Sequence, residues 1–390
     1  MQTFTRNAMN EIDREKDQTP EEILVFLRER DNFLSVSDGI KRELNQLGYT
    51  TNDDQLLLKD FKNLLKEAGF TADQRKNAAT WLIKGKLPSP RKNFPIRLCF
   101  AFKLKGKDAL DFLWKVCRVN GFNFRKAEDI VFCYCLEHGK NYAEAIEIIK
   151  KYKGHTADKQ QKETDATKRT RTIRAIFNDL KNLDESTFFE LLCANKNNFI
   201  GYSETAHDEY VKLYSKLKEK IMVDMEEYNH FLKYVDIEGY NSGISMYLEI
   251  VFAFDKIAKS ISSSNTPFGS IMVNFPQSEY LTKMYKSVTA ATDKEHDKAR
   301  KVFLLLFFAN YALELPPDSF FNDFIFAANE LLDRCGYAKL YAANPYDWLI
   351  LSCIKSLDVT DPLENTSPLE LFNDVLELLA SESNEEVQDD

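Results

Sequence analysis

The sequence predicts an all-α protein built from two multi-helix domains. Glycine and proline are scarce, at 13 and 11 of 390 residues, whereas phenylalanine and tyrosine are abundant, at 29 and 17. Few helix breakers and many long side chains favour helices over a turn-rich β fold. No segment shows the strict apolar–polar alternation of a half-buried strand. The 44% hydrophobic content is sufficient to fill packed cores.

Capping signals mark where helices begin and end. Segments 19–22 (TPEE) and 367–370 (SPLE) each combine an N-cap hydroxyl, a proline at the first helical position and a glutamate at the third. Asn141 with Glu144 has the same spacing. Glycines close several apolar-periodic runs, as expected of helix C-termini; they are Gly48, Gly69, Gly85, Gly139 and Gly154.

The polarity of the sequence suggests the domain boundaries. Residues 155–172 (HTADKQQKETDATKRTRT) are polar and charged and have almost no aliphatic anchors, which is typical of a linker or an exposed helix. They separate a predicted N-terminal helical domain, 20–154, from a C-terminal helical domain, 173–380. Residues 381–390 (SESNEEVQDD) form an acidic tail.

An internal similarity relates two segments at a fixed offset of 218 positions. The matched pairs are Leu113 with Leu331, Cys117 with Cys335, Asp129 with Asp347, Cys135 with Cys353, and Leu136 with Ile354. In each copy an apolar helix ends at a cysteine, a loop follows, and an aspartate opens a second apolar helix. The pattern predicts two equivalent helix–loop–helix modules, although chance similarity between two buried hairpins remains an alternative.

Charge is distributed unevenly along the chain. Residues 71–107 contain a single acid, Asp73, and ten basic residues, which are Arg75, Lys76, Lys84, Lys86, Arg91, Lys92, Arg97, Lys103, Lys105 and Lys107. This basic segment therefore carries +9, which leaves −18 for the rest of a chain whose net charge is −9. Such asymmetry is typical of a local polyanion contact on an otherwise acidic protein.

The middle of this region resembles the second half of a lambda-repressor-like (Xre-type) helix-turn-helix domain. The resemblance rests on the turn 85–89 (GKLPS), the apolar helix 96–102 (IRLCFAF), and then Leu110 and Leu113. It covers residues 71–137, and the segment 335–354 resembles only the extension that follows the domain. Pro95 departs from the family pattern, because it either kinks the helix after Ser89 or delays its start to about Asn93.

The resemblance implies a DNA-contacting role for one face of the basic segment. Thr71 would cap a helix over 72–84, with Trp81 and Leu82 pinning it to the core. The residues facing the groove would be Gln74, Arg75, Lys76, Asn77 and Thr80. The residues meeting phosphates would be Lys84, Lys86, Arg91 and Lys92. Arg97 lies on the apolar helix and is a candidate structural residue. The alternative interpretation is a solvated polar helix face.

Other chemistries find no support in the sequence. The five histidines are scattered, and there is no HExxH, no metal-spaced Cys/His cluster, no P-loop and no GxSxG. We therefore expect no metal, no cofactor and no enzymatic activity. The longest apolar stretch, 302–309, falls far short of the ~20 residues of a membrane span. With no apolar leader and seven cysteines lacking a CxxC pair, the sequence predicts a cytoplasmic protein that binds no membrane.

Three classes of function remain open. The first is a non-enzymatic regulatory protein whose basic module contacts duplex DNA while its C-terminal domain binds a protein partner or self-associates. The second is a helical protein–protein interaction module in a bacterial phage-defence or mobile-element setting. The third is an enzyme of an unrecognised helical family. Two apolar stripes, 246–254 and 303–311, are more typical of core than of a binding groove.

Overall fold

The computed structural model describes residues 8–10, 12, 18–29, 32–51, 53–86, 88, 93–155, 178, 181–196, 199, 203–227, 284, 293–314, 321–355 and 367–385. Regular secondary structure within these ranges is helical throughout, with no strand. The predicted all-α class is therefore confirmed. None of the described helices combines the length and apolarity needed to cross a bilayer.

Short and medium helices follow one another in the first half of the chain. They are α1 (Pro20–Arg28), α2 (Val36–Gln46), α3 (Asp54–Glu67), α4 (Ala72–Arg75), α5 (Ala78–Leu82), α6 (Phe94–Ala101), α7 (Gly106–Asp111), α8 (Ala127–Glu137), α9 (Tyr142–Gly154) and α10 (Glu185–Ala194). A π-helical turn, Phe112–Val116, directly continues α7.

The second half contains longer helices. They are α11 (Glu204–Glu227), α12 (Asp293–Glu314), α13 (Phe321–Cys335), α14 (Pro345–Lys355) and α15 (Pro368–Glu385). Helix α15 runs through residues 381–385, the first half of the predicted acidic tail, and residues 386–390 lie outside the described ranges. So do the apolar stripe 246–254 and all of the predicted linker after His155.

The predicted capping boxes form at the helix starts. In α1 the Thr19 hydroxyl accepts a hydrogen bond from the Glu22 amide at 3.3 Å, while the Glu22 carboxylate accepts one from the Thr19 amide at 3.1 Å. The same reciprocal pair opens α9, between Asn141 and Glu144, and α15, between Ser367 and Glu370. Each box satisfies amides that the first helical turn leaves without a partner.

Schellman motifs end several helices, with a left-handed residue just past the end. Glycine occupies this position after α2, α3, α8 and α13, as Gly48, Gly69, Gly139 and Gly336. Helix α6 ends in the same motif, because the Leu104 amide donates to the Cys99 carbonyl and the Lys103 amide to that of Phe100. There the left-handed residue is Lys103, with φ of 55°.

The buried side chains divide into two cores. The N-terminal core takes its buried side chains from residues 34–192 and gathers α2 to α10. The C-terminal core gathers α11 to α15 together with α1. Helix α1, which was predicted to belong to the N-terminal domain, packs against α15 and α14. Its Phe26 ring stacks on Trp348 with centroids 4.3 Å apart.

The two sequence-related segments have the same local structure. Helices α8 and α14 begin and end 218 positions apart. In each, an aspartate at the third helical position accepts a hydrogen bond from the amide six residues before it: Asn123 N to Asp129 Oδ2 at 2.7 Å, and Tyr341 N to Asp347 Oδ2 at 2.9 Å. The predicted repeat is therefore present in the fold, with the aspartates closing the loop rather than capping the helix.

The two copies contact each other through equivalent positions. The Asn120 side-chain oxygen accepts a hydrogen bond from the Ala338 amide at 2.7 Å, and these two residues are themselves 218 positions apart. Self-complementary contact between matched residues is what an approximate two-fold relation between copies produces. The repeat therefore helps to join the two cores.

Candidate nucleic-acid interface

The helix predicted over 72–84 is broken into two short helices. Thr71 caps α4 as expected, since its hydroxyl accepts from the Gln74 amide at 3.3 Å and its amide donates to Gln74 Oε1 at 3.0 Å. Helix α4 ends at Arg75, a turn follows, and α5 ends at Leu82 before Gly85, whose φ is 64°. The expectation of one uninterrupted helix is thus wrong: the chain needs the turn to bury Ala78, Trp81 and Leu82 together.

Among the described cations of the basic segment, Arg97 alone is buried in the core. Its Nη1 donates to Gln74 Oε1 at 2.8 Å, and its Nη2 donates to the Gly69 carbonyl at 2.6 Å. The guanidinium carbon lies 3.9 Å from the ring centre of Phe70 and 4.9 Å from that of Tyr142. Burial lowers the pKa of Arg97. Its interpretation as a structural residue is consistent with this geometry.

Aromatic packing fixes α5 against its neighbours. Trp81 lies 6.1 Å from Phe70 and 5.3 Å from Phe94, ring centre to ring centre. The Ser37 hydroxyl of α2 donates to the Leu82 carbonyl. Helix α6 begins at Phe94 behind a left-handed Asn93, so Pro95 occupies the second helical position, where its missing amide costs no hydrogen bond. The helix start is delayed rather than kinked.

The predicted groove-facing residues differ in how much the fold already uses them. Gln74 serves the cap and Arg97, and Asn77 Nδ2 donates to the Gln74 carbonyl at 3.0 Å. Lys76 is exposed and pairs with Asp73 at 2.7 Å. Arg75 and Thr80 are half-buried. The Arg75 Nε atom is buried without a hydrogen-bond partner in the described part of the chain.

Two of the four predicted phosphate-contacting residues, Lys84 and Lys86, lie just past the end of α5. Lys84 and Lys86 are exposed, and neither forms an ion pair with any residue that the structure describes. Their turn lies beside the start of α2, where Gly85 approaches Ser37 and Ser35. Arg91 and Lys92 lie outside the described ranges.

The loop between α6 and α7 carries basic residues that the sequence analysis did not assign to the interface. Lys103, Lys105 and Lys107 are all exposed, while Leu104 between the first two is buried. None of the three lysines has an ion pair or side-chain hydrogen bond within the described ranges. The signal was available in the sequence, because Lys103 follows an apolar helix at the position where glycine would ordinarily end it.

A buried polar cluster lies where the two cores meet. The Arg300 guanidinium donates to both Asp347 oxygens at 2.8 Å, and their side chains are 1% and 0% exposed. Its Nε donates to the Ala338 carbonyl at 2.9 Å, and its guanidinium carbon lies 4.2 Å from the Trp114 ring centre. The arrangement fastens the second copy to the first and leaves the charged groups fully engaged.

The remaining titratable groups in the described ranges include buried cysteine thiols. No group of three or more His, Cys, Asp or Glu side chains there is placed to hold a metal ion. Burial raises the pKa of Cys135 and of Cys335 to about 12, so these thiols stay protonated near neutral pH.

Comparisons with protein-family models, with curated proteins and with solved structures found no match to this chain.

Proposed function

We propose that this chain is a non-enzymatic, DNA-associated protein. Its basic segment would contact the phosphate backbone of a duplex, and the helices of the C-terminal core would bind a protein partner or a second copy. The observation that carries the proposal is that five exposed lysines of the basic segment are not neutralised by acidic side chains among the described residues. Lys84, Lys86, Lys103, Lys105 and Lys107 are exposed and have no ion-pair partner among the described residues. Unneutralised lysines on an acidic protein favour binding to a polyanion.

Four lysines elsewhere in the N-terminal core are paired and provide a contrast, whereas others there, such as Lys150, are exposed and unpaired within the described ranges. Lys41 pairs with Asp54 at 2.9 Å, Lys115 with Asp111 at 2.9 Å, Lys140 with Glu185 at 2.7 Å, and Lys153 with Glu128 at 3.0 Å. In the basic segment only Lys76 has such a partner among the described residues. Because the chain carries an excess of acids, the concentration of unpaired lysines among the described residues of 84–107 supports a dedicated anion contact.

Helix α3 continues this charge segregation just before the basic segment. At 100° per residue, Lys59, Lys62 and Lys66 fall on one flank of its exposed side, and Asp60 and Glu67 fall on the other. All three lysines are exposed and unpaired within the described ranges. Exposed lysines without an ion-pair partner among the described residues are thus also present just before the basic segment, which starts at residue 71.

The geometry favours phosphate contact over base readout. Gln74 and Asn77, the amides suited to adenine edges, are engaged in the α4 cap and in holding Arg97. Using them to read bases would require breaking these bonds. Arg75 and Thr80 remain the candidates for any sequence preference.

Titration of duplex DNA with the full chain tests the proposal. We expect binding at low salt with a log–log salt slope of about −0.9 for each phosphate contacted. The double variant Lys84→Ala, Lys86→Ala should flatten the slope by about 1.8 and weaken binding to all sequences alike. Lys150→Ala, which removes an equally exposed and unpaired lysine from α9, is the matched control and should change nothing.

The second candidate function is a helical protein–protein interaction module of a bacterial phage-defence or mobile-element system. The engagement of Gln74 and Asn77 within the fold favours it, as does Phe326, whose side chain on α13 is 73% exposed. If the folded wild-type protein binds no duplex at micromolar concentration and low salt, DNA association is abandoned in favour of this module.

A further inference from the structure

The end of α6 departs from the other Schellman-type helix ends in one respect. Gly48, Gly69, Gly139 and Gly336 supply the left-handed residue after α2, α3, α8 and α13, where glycine is conformationally unstrained. Lys103 supplies it after α6, with φ of 55° and the same two closing hydrogen bonds. A side chain at this position is disfavoured, so its presence calls for a compensating role.

Contacts within the fold do not supply that role. The Lys103 side chain is exposed and makes no hydrogen bond or ion pair among the described residues. Arg118, another left-handed residue with a long basic side chain, differs, because its Nη2 donates to the Leu34 carbonyl at 3.4 Å. The strain at Arg118 thus has a structural counterpart, and the strain at Lys103 has none among the residues described.

The loop that Lys103 opens is anchored by one buried side chain and presents three cations. Leu104 is buried and anchors the loop, so Lys103, Lys105 and Lys107 point outward around a short turn. Gly106 closes the turn with φ of 43°, and an added Cβ there would lie 2.6 Å from Glu137 Oε1. A fixed backbone lowers the entropic cost of placing charged side chains against a partner.

Two carboxylates lie near the loop without neutralising it. Glu137 approaches Gly106, and Asp108 follows Lys107 in the first turn of α7. Within the described part of the chain, neither carboxylate forms an ion pair with Lys103, Lys105 or Lys107. The lysines therefore extend into solvent although acids are within a few residues.

We infer that the Lys103–Lys107 loop is a second backbone contact for duplex DNA, in which Lys103, Lys105 and Lys107 bind phosphates. This inference rests on the proposed function and adds a surface that the helix-turn-helix resemblance does not assign. Duplex phosphates are spaced at about one charge per 1.7 Å of axis, so three closely spaced lysines can engage them together. An acidic protein surface is the rival partner.

The decisive variant is Lys103→Gly, because a structural role of the Lys103 side chain and a role in DNA binding predict different combinations of thermal midpoint and DNA salt slope. It removes the cation and relieves the left-handed strain, so the thermal midpoint should rise while the DNA salt slope falls by about 0.9. Lys103→Arg, which keeps the charge, should retain the wild-type slope. The triple variant Lys103→Gly, Lys105→Ala, Lys107→Ala should lose about 2.7 from the slope, and Lys150→Ala nothing.

The outcomes separate this inference from the proposed function. If the wild-type protein binds duplex DNA and the triple variant binds with the same slope, the loop contact is overturned and the proposed function stands. Absence of any wild-type binding to duplex overturns both. Wild-type binding to polyglutamate that matches its binding to duplex at equal salt, and that is lost in the triple variant, would assign the loop to an acidic protein partner and overturn the DNA contact.

Discussion

The two copies of the helix–loop–helix module share a backbone and differ in what surrounds it. Asp129 and Asp347 make the same hydrogen bond to the loop, and Arg118 and Gly336 occupy the same left-handed position before it. The second copy is joined in addition by Arg300, which binds both Asp347 oxygens. Around Asp347 the local motif that closes the loop is thus also the anchor of a buried ion pair.

The largest expected effect is on the free energy of unfolding, and it distinguishes the replacement of Asp347 from that of Asp129. Asp347→Ala would leave the Arg300 guanidinium buried without its counter-ion, so we expect a loss of about 3–5 kcal/mol in the free energy of unfolding. Asp129→Ala removes the loop-closing bond to the Asn123 amide at a buried site, and should cost about 1–3 kcal/mol. Urea unfolding of both variants measures the comparison.

The double variant Asp347→Ala, Arg300→Met serves as the control for that experiment. Removing both charges should recover part of the loss, because no unpaired ion then remains at this site. If the double variant recovers none of the loss, the unpaired Arg300 charge is not the source of the Asp347→Ala effect.

A smaller effect on stability is expected at the left-handed position that Arg118 and Gly336 occupy in the two copies. Gly336→Ala places a side chain at φ of 87° and should destabilise the fold by about 1 kcal/mol. Arg118→Gly relieves the same strain but removes the contacts of the arginine, among them the hydrogen bond to the Leu34 carbonyl, so it should stabilise the fold less than strain relief alone would. Thermal unfolding checks both; a large loss in Arg118→Gly would show that the arginine contacts dominate the strain.

The smallest expected effect is on the pH dependence of stability. It concerns two carboxylates, one beside α9 and one on α15, which are the capped helices that follow the two modules. Beside α9, the side-chain hydrogen bond from Lys140 holds the pKa of Glu185 below its usual value. On α15, burial and then the neighbouring Glu377, Glu370 and Glu21 raise the pKa of Asp374. Stability from Glu185 is therefore present at neutral pH and lost on acidification, whereas stability from Asp374 is present in acid and lost as the pH rises through its raised pKa.

The matched amide variants test these opposite signs. At pH 7, Glu185→Gln should lower the urea midpoint slightly and Asp374→Asn should raise it slightly. Both differences should shrink as the pH falls, because each carboxyl is then increasingly protonated in the folded and unfolded states. Both groups are largely exposed, so the shifts should be small and should shrink with added salt. Shifts of the same sign at pH 7 would contradict the electrostatic account.

The sequence alone predicted the helical class, the capping boxes at Thr19, Asn141 and Ser367, and the equivalence of the two modules. These features depend on contacts between residues no more than six positions apart, such as the bond from the Asn123 amide to Asp129. Residue type and spacing are enough to specify contacts of that range. The glycine-terminated helices belong to the same class of local features.

Only the tertiary structure decided how those local pieces are used. It brought Arg300 to Asp347 across 47 positions, engaged Gln74 with Arg97 across 23, and packed α1 into the C-terminal core rather than beside α2. The broken helix at 72–82 accompanies the packing of Trp81 between Phe70 and Phe94, which lie on either side of it in the chain. Spacing in one sequence does not encode such pairings, since they depend on which apolar faces meet when the chain closes.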